Sequence, residues 1–196
     1  GDYTTNMGIF DCYLFLIFFM RYIILIIFIP MFLLSKTHTE TVKKTGGVLQ
    51  LLIPGIGLGS TIFFENNRDG MKQFCKSIVA TGIITQGLKT ITQKRRPNGS
   101  CCASFPSGHT SAAFMGAGFI HKRFGWKYSI PAYIGATFVG YSRVEANKHY
   151  VEDVIVGATI GVLSSFYFTT PFKNFIISLD ANNGTYNMHI RKQLVN

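Results

Sequence analysis

The chain has 196 residues, 47% hydrophobic with 18 Phe and only 14% charged, where soluble domains carry about 25% charged residues; the length suits one domain and the charge deficit points to a membrane class. Its net charge of +10 would suit a nucleic-acid binder, but the cations crowd two short stretches and no RNA- or DNA-binding signature accompanies them, which excludes nucleic acid as the partner. Cys12, Cys75, Cys101 and Cys102 show no metal-ligand spacing, which argues against a metal centre; Cys101 and Cys102 are read as free thiols, with mutual pairing in an oxidising compartment as the alternative.

The first element is an apolar run from Ile9 to Leu34, broken only by Asp11, Arg21 and Pro30, and long enough to cross a hydrocarbon core that needs about 20 apolar residues. A second reading takes Met20-Arg21, the apolar stretch Tyr22 to Leu34 and Ser35 as a secretory signal. Residues 1–35 are thus a membrane helix or signal anchor, residues 36–180 the helical core and residues 181–196 a polar tail without strong pattern. The apolar run Val48 to Phe64 holds Pro54, Gly55, Gly57 and Gly59. It lacks the spacing and acidic partner of a dinucleotide fingerprint, and reads as a kinked helix with small residues for close packing.

Met71 to Ile91 reads as a third helix carrying Lys89 at its end, stopped by Pro97, Asn98 and Gly99. His109 to Phe119 is a fourth, dense in Ala and Gly, with Ser107 as its cap. After a basic link, His121 to Lys127, come a fifth segment, Tyr128 to Tyr141, and a sixth, Val151 to Phe168, ended by Pro171. The fold class is therefore an all-α bundle of about six helices. With both termini in the cytosol, the loops at 89–108 and 142–150 emerge on one outer face, and the basic link falls inside.

The chemistry concentrates in Ser142 to Asp153. His149 and Asp153 are four apart, so a helix starting near Tyr150 stacks the carboxylate on the imidazole, holding one ring nitrogen while the other points outward. A histidine so held is a nucleophile or a base. Arg143, on the incoming loop, adds a forked cation for two phosphate oxygens. The bland reading is a loop with a half-buried His–Asp pair. Lys89 with Arg96-Pro97, and Pro106-Ser107-Gly108-His109, lie upstream. A phosphate dianion needs cations and amide hydrogens around it; Lys89, Arg96 and Arg143 are the cations, and Ser107 with the Gly108 amide opens a helix whose dipole favours an anion. Lys94 and Arg95 read as a solvated or headgroup-facing rim.

Together, Lys-x6-Arg-Pro, Pro-Ser-Gly-His and Ser-Arg-x5-His-x3-Asp, in this order between Lys89 and Asp153, resemble the type 2 phosphatidic acid phosphatase family. Every signature position is filled; the departure is a short spacer from Asn98 to Phe105. The resemblance implies a helical, metal-independent phosphatase without cofactor. In it His149 forms a phosphohistidine, Asp153 fixes its tautomer, His109 is the general acid, and Lys89, Arg96, Ser107, Gly108 and Arg143 bind the phosphate. It further implies a multi-pass protein of the bacterial inner membrane with an outward-facing site. The substrate would be a lipid phosphate such as phosphatidic acid, phosphatidylglycerol phosphate, undecaprenyl pyrophosphate or lipid A. Two alternatives stand beside it: a soluble periplasmic acid phosphatase for small organic phosphates, and a non-catalytic binder of phospholipid headgroups.

Overall fold

A computed structural model describes residues 38–65, 68–172, 176–182 and 185–191. The apolar run Ile9 to Leu34, and with it the choice between anchor and signal, lies outside the described residues. Five helices follow: α1 His38–Phe64, α2 Asp69–Thr92, α3 Gly108–Phe124, α4 Trp126–Glu145 and α5 Val151–Phe168. They form an all-α bundle. Beyond it lies an antiparallel hairpin of β1 Ile176–Asn182 and β2 Thr185–Arg191, with Ile176 opposite Arg191. The tail read as patternless therefore holds a strand, and Asn183-Gly184 between the two is a dipeptide favoured in tight hairpin turns.

The helices outrun the apolar segments that announce them. α1 begins ten residues before Val48; Glu40 sits in its first turn, where the helix dipole favours an anion, and pairs with Lys43 at 3.2 Å. The basic link is absorbed too. α3 runs to Phe124, and Gly125, at φ 104°, is the whole connection before α4, a conformation that disfavours any side chain. α4 continues to Glu145, so Arg143 sits in its last helical turn rather than on a loop.

α3 is the hub. Ala113, Met115, Ala117 and Phe119 are fully buried along it, joining Leu49 and Ile53 of α1 and Ala136 and Val139 of α4 in one cluster and Phe74 of α2 in another. Phe74 meets Phe119 edge to face at 5.1 Å, a geometry that the ring quadrupoles favour. Against α5 the approach is closer still: a methyl group at Gly161 would strike the Ser111 carbonyl and the Met115 amide.

The outer faces are apolar instead of charged. Val48, Leu51 and Phe63 of α1, Val79 and Ile83 of α2, Ile134 of α4 and Ile155 and Leu163 of α5 are all exposed. The most apolar 18 residues of Thr39–Phe64 and the whole of Val151–Phe168 have mean hydropathies of 1.7 and 1.4 with only 28% of each buried, so both helices are long and apolar enough to cross a bilayer. A soluble protein would bury such helices; the protein is membrane-associated.

Hydrogen bonds fix which ends lie together. Arg143, at the end of α4, donates to the Lys43 carbonyl near the start of α1, and the Ser107 amide, before α3, donates to the Asp153 carbonyl in the first turn of α5. At the other end Arg123 pairs with Glu65 through two bonds, at 2.7 and 2.6 Å, and reaches the Thr170 carbonyl after α5. The helices alternate in direction, and the stretches 93–107 and 146–150 share one end.

Candidate active site

That shared end holds a cavity of about 300 Å³ lined by Lys89, Arg96, Gly108, His109, Arg143, Lys148 and His149. Three helices and two loops supply it. Lys89 leaves the last turn of α2 and its ammonium donates to the Ala103 and Pro106 carbonyls, which aims its stem along the loop that carries the next motif. Arg96 sits on that loop, whose Asn98 amide donates to the Asn147 carbonyl at 3.1 Å and pins it to the loop carrying His149. Arg96 Nε is buried with no hydrogen-bond partner among the described residues, a donor left for an acidic oxygen. The Arg143 guanidinium is held by Ser142 Oγ at 3.1 Å and the Lys43 carbonyl at 2.7 Å.

His149 is 5% exposed, and its Nδ1 lies 2.6 Å from the Ser104 carbonyl oxygen. A carbonyl only accepts, so Nδ1 carries the proton and Nε2 keeps the lone pair. The expectation that Asp153 makes this contact is corrected: its carboxylate is 3.8 Å from Nδ1. Asp153 is instead occupied elsewhere. It accepts from Ser104 Oγ, from the Tyr150 amide at 3.0 Å and from Lys94 at 2.8 Å. The Tyr150 bond belongs to a capping box that starts α5. Asp153 thus anchors the same residue whose carbonyl holds the imidazole.

Lys94 lies outside the cavity lining and stays about a third exposed, as a rim residue would, but it is paired and not merely solvated. Its ammonium bridges Asp153 and Glu152, both at 2.8 Å. Burial draws its pKa down, but the bonds to the two carboxylates outweigh this and hold it above the usual lysine value. His149 moves the other way. Burial is the chief cause, the Lys89 and Arg96 charges add to it, and the Ser104 bond and Asp153 only partly oppose it; its pKa falls to about 4. The imidazole is neutral above that pH.

Ser107 and Asp153 do not line the cavity. Ser107 is fully buried at the α3 N-cap, and its hydroxyl pairs with Thr110 Oγ1 at 2.9 Å instead of capping a backbone amide. Gly108 does line it, with the open end of α3 behind it. The sulfurs of Cys101 and Cys102 lie against each other, the placement that the alternative of mutual pairing requires. Sequence reasoning missed Lys148, whose position beside His149 was the available signal. It also missed Ser104, whose contribution is a backbone carbonyl and so leaves no mark in residue type. Among the described residues the arrangement gathers four cations and two imidazoles around one space, with no carboxylate in its lining; it suits a tetrahedral anion attacked by nitrogen.

Known proteins are similar to this chain. A family model described as the PAP2 superfamily matches residues 71–176. The chain is 42% identical over 85 residues to a lipid A 1-phosphatase of Porphyromonas gingivalis, covering 42% of this chain and 19% of that protein. It is 29% identical over 142 residues to a lipid A 4'-phosphatase of Helicobacter pylori, covering 67% of this chain and 71% of that one. The crystal structure of Aquifex aeolicus LpxE superposes with a TM-score of 0.58 at 21% identity, over 74% of this chain and 93% of that chain. The chain therefore spans under a fifth of the first relative and about seven tenths of the second.

Proposed function

The chain belongs to the PAP2 superfamily, and from that premise we propose that it is a membrane phosphatase that removes a phosphoryl group from a lipid through a phosphohistidine on His149. The observation that carries this reading is the 2.6 Å contact from Nδ1 to the Ser104 carbonyl, which leaves the Nε2 lone pair available in a cavity ringed by cations. Lys89, Arg96 and Arg143 take the non-bridging oxygens, the two arginines as forks and the lysine as a point charge. Gly108 lets the α3 amides approach them. Charge neutralisation of this kind is the largest contribution a phosphoryl-transfer site makes.

In the first step Nε2 attacks phosphorus, the P–O bond to the lipid breaks, and His109 delivers a proton to the departing oxygen. In the second, a water loses its proton to His109 and attacks the phosphohistidine, returning His149 and free phosphate. Asp153 acts one shell out, holding Ser104 and the start of α5.

The names of the two curated relatives support a phosphorylated sugar lipid of the lipid A type as the first substrate to test. Exposed apolar side chains on four helices support a site opening at the surface of a bilayer over a soluble enzyme. In this reading the chain is multi-pass in a bacterial inner membrane with the cavity facing outward. The experiment is to trap labelled phosphate on the purified protein from a panel of lipid phosphates. Label on His149 and loss of turnover in His149→Ala are expected; full activity in that variant would overturn the mechanism.

A further inference from the structure

Asp153 is fully buried, yet the imidazole it was expected to orient is bonded to a neutral carbonyl. Its charge is met by Lys94, at 2.8 Å, rather than by His149. Nor is Lys94 there by chance of a long side chain. Its ammonium lies 4.5 Å from the Tyr150 ring centre and 5.9 Å from that of Phe105, and it bonds Glu152 as well, a cage of π-faces and carboxylates that fixes a cation. Its own carbonyl accepts the Ser104 amide at 3.0 Å, so one residue grips Ser104 by its backbone and, through Asp153, by its hydroxyl.

We infer that Lys94 is a positioning residue for His149, neutralising Asp153 so that this carboxylate holds Ser104 in place without drawing a proton onto the imidazole. The inference rests on the phosphatase reading above. On the cavity side His149 faces Lys89 from α2, Arg96 from the loop, His109 from α3, and Arg143 and Lys148 from α4 and the turn after it. All of these disfavour an imidazolium when charged. On the Nδ1 side the charged group is Asp153, at 3.8 Å, backed by Lys94 and Glu152. Remove Lys94, and an uncompensated negative charge sits beside the ring, favouring the protonated form that has no lone pair to attack with. The effect has a sign: neutral His149 should then require a higher pH.

The test is the pH dependence of kcat/KM for a short-chain lipid phosphate, measured in detergent on the full chain and on Lys94→Met. The acid limb is expected to move to higher pH by about one unit in the variant, and to stay in place in Lys94→Arg, which restores the charge. Should Lys94→Met fail to fold, Lys94→Gln, which keeps a donor but no charge, carries the same expectation. A lower rate with an unmoved limb would make Lys94 a structural residue only and overturn the inference, as would an equal shift in Lys94→Arg. An unmodified chain without phosphatase activity would instead sink the reading on which the inference rests.

Discussion

The neutral His149 imidazole has a kinetic consequence of definite sign. Its pKa is pushed down to about 4 by burial and by Lys89 and Arg96, and only the unprotonated ring can attack. Rates of the free enzyme should therefore rise with pH through about 4, not near the ordinary histidine value of 6.5; because His109, the acid, is itself held at about 4 by burial and by Arg143, Lys89 and Arg96, they should pass a maximum and fall at higher pH instead of levelling off, which initial rates between pH 3 and 8 check. Arg96 offers a second residue-level prediction, because its buried Nε is unpaired among the described residues. Arg96→Lys keeps the charge and loses the fork. Losing one charge-assisted bond is worth about 1.5–3 kcal/mol, so kcat/KM should fall roughly tenfold to a hundredfold with melting unchanged. Much of this site was legible as residue types: the cations Lys89, Arg96 and Arg143 and the two histidines stand in the sequence at telling spacings. What orients His149 was not, since any residue at 104 presents a carbonyl, and spacing made Asp153 the natural partner. Its pairing with Lys94 depends on a loop path that no periodicity encodes.

Among elements, the five described helices could be read from their apolar stretches, but not their ends. Glu40 and Lys43 extend α1 through a polar turn, and Arg123 lies buried in a stretch whose composition reads as a solvated link. Polar residues satisfied by tertiary partners defeat a reading that equates charge with loop. The hairpin was missed for the opposite reason, since its Asn183-Gly184 signal sits between strands of weak alternation. Helix contact itself depends on small residues, and the protein offers a clean comparison. Gly161 faces the α3 backbone at a distance that excludes a methyl group, while Gly82 on α2 has nothing near it. Gly161→Ala must push α5 off α3, at a cost of about 1–3 kcal/mol. Gly82→Ala should be neutral or stabilise by up to about 1 kcal/mol through helix propensity alone. Thermal melting of both in one detergent tests the pair.

Across the whole molecule, the two ends of the bundle carry separate tasks. His109 and Arg123 sit on the same helix, 14 residues apart, which at about 1.5 Å per residue puts roughly 21 Å between the cavity and the Arg123–Glu65 pair. Both partners of that pair are buried, and Glu65 also accepts the Gly70 amide at 3.0 Å. It therefore joins the turn between α1 and α2 to the end of α3, while Arg123 extends the tie to Thr170 beyond α5. Four helices are stapled at the end that takes no part in chemistry. Removing one partner of a buried ion pair strands the other charge, at about 3–5 kcal/mol. Glu65→Ala should accordingly lower the melting temperature sharply while kcat per folded molecule, with active sites counted by phosphoryl trapping on His149, stays within about twofold of the unmodified chain. A matching loss of kcat would mean that the far end sets the cavity's shape through rigid α3; an unchanged melting temperature would mean that lipid and the remaining helix contacts, rather than this pair, hold that end closed.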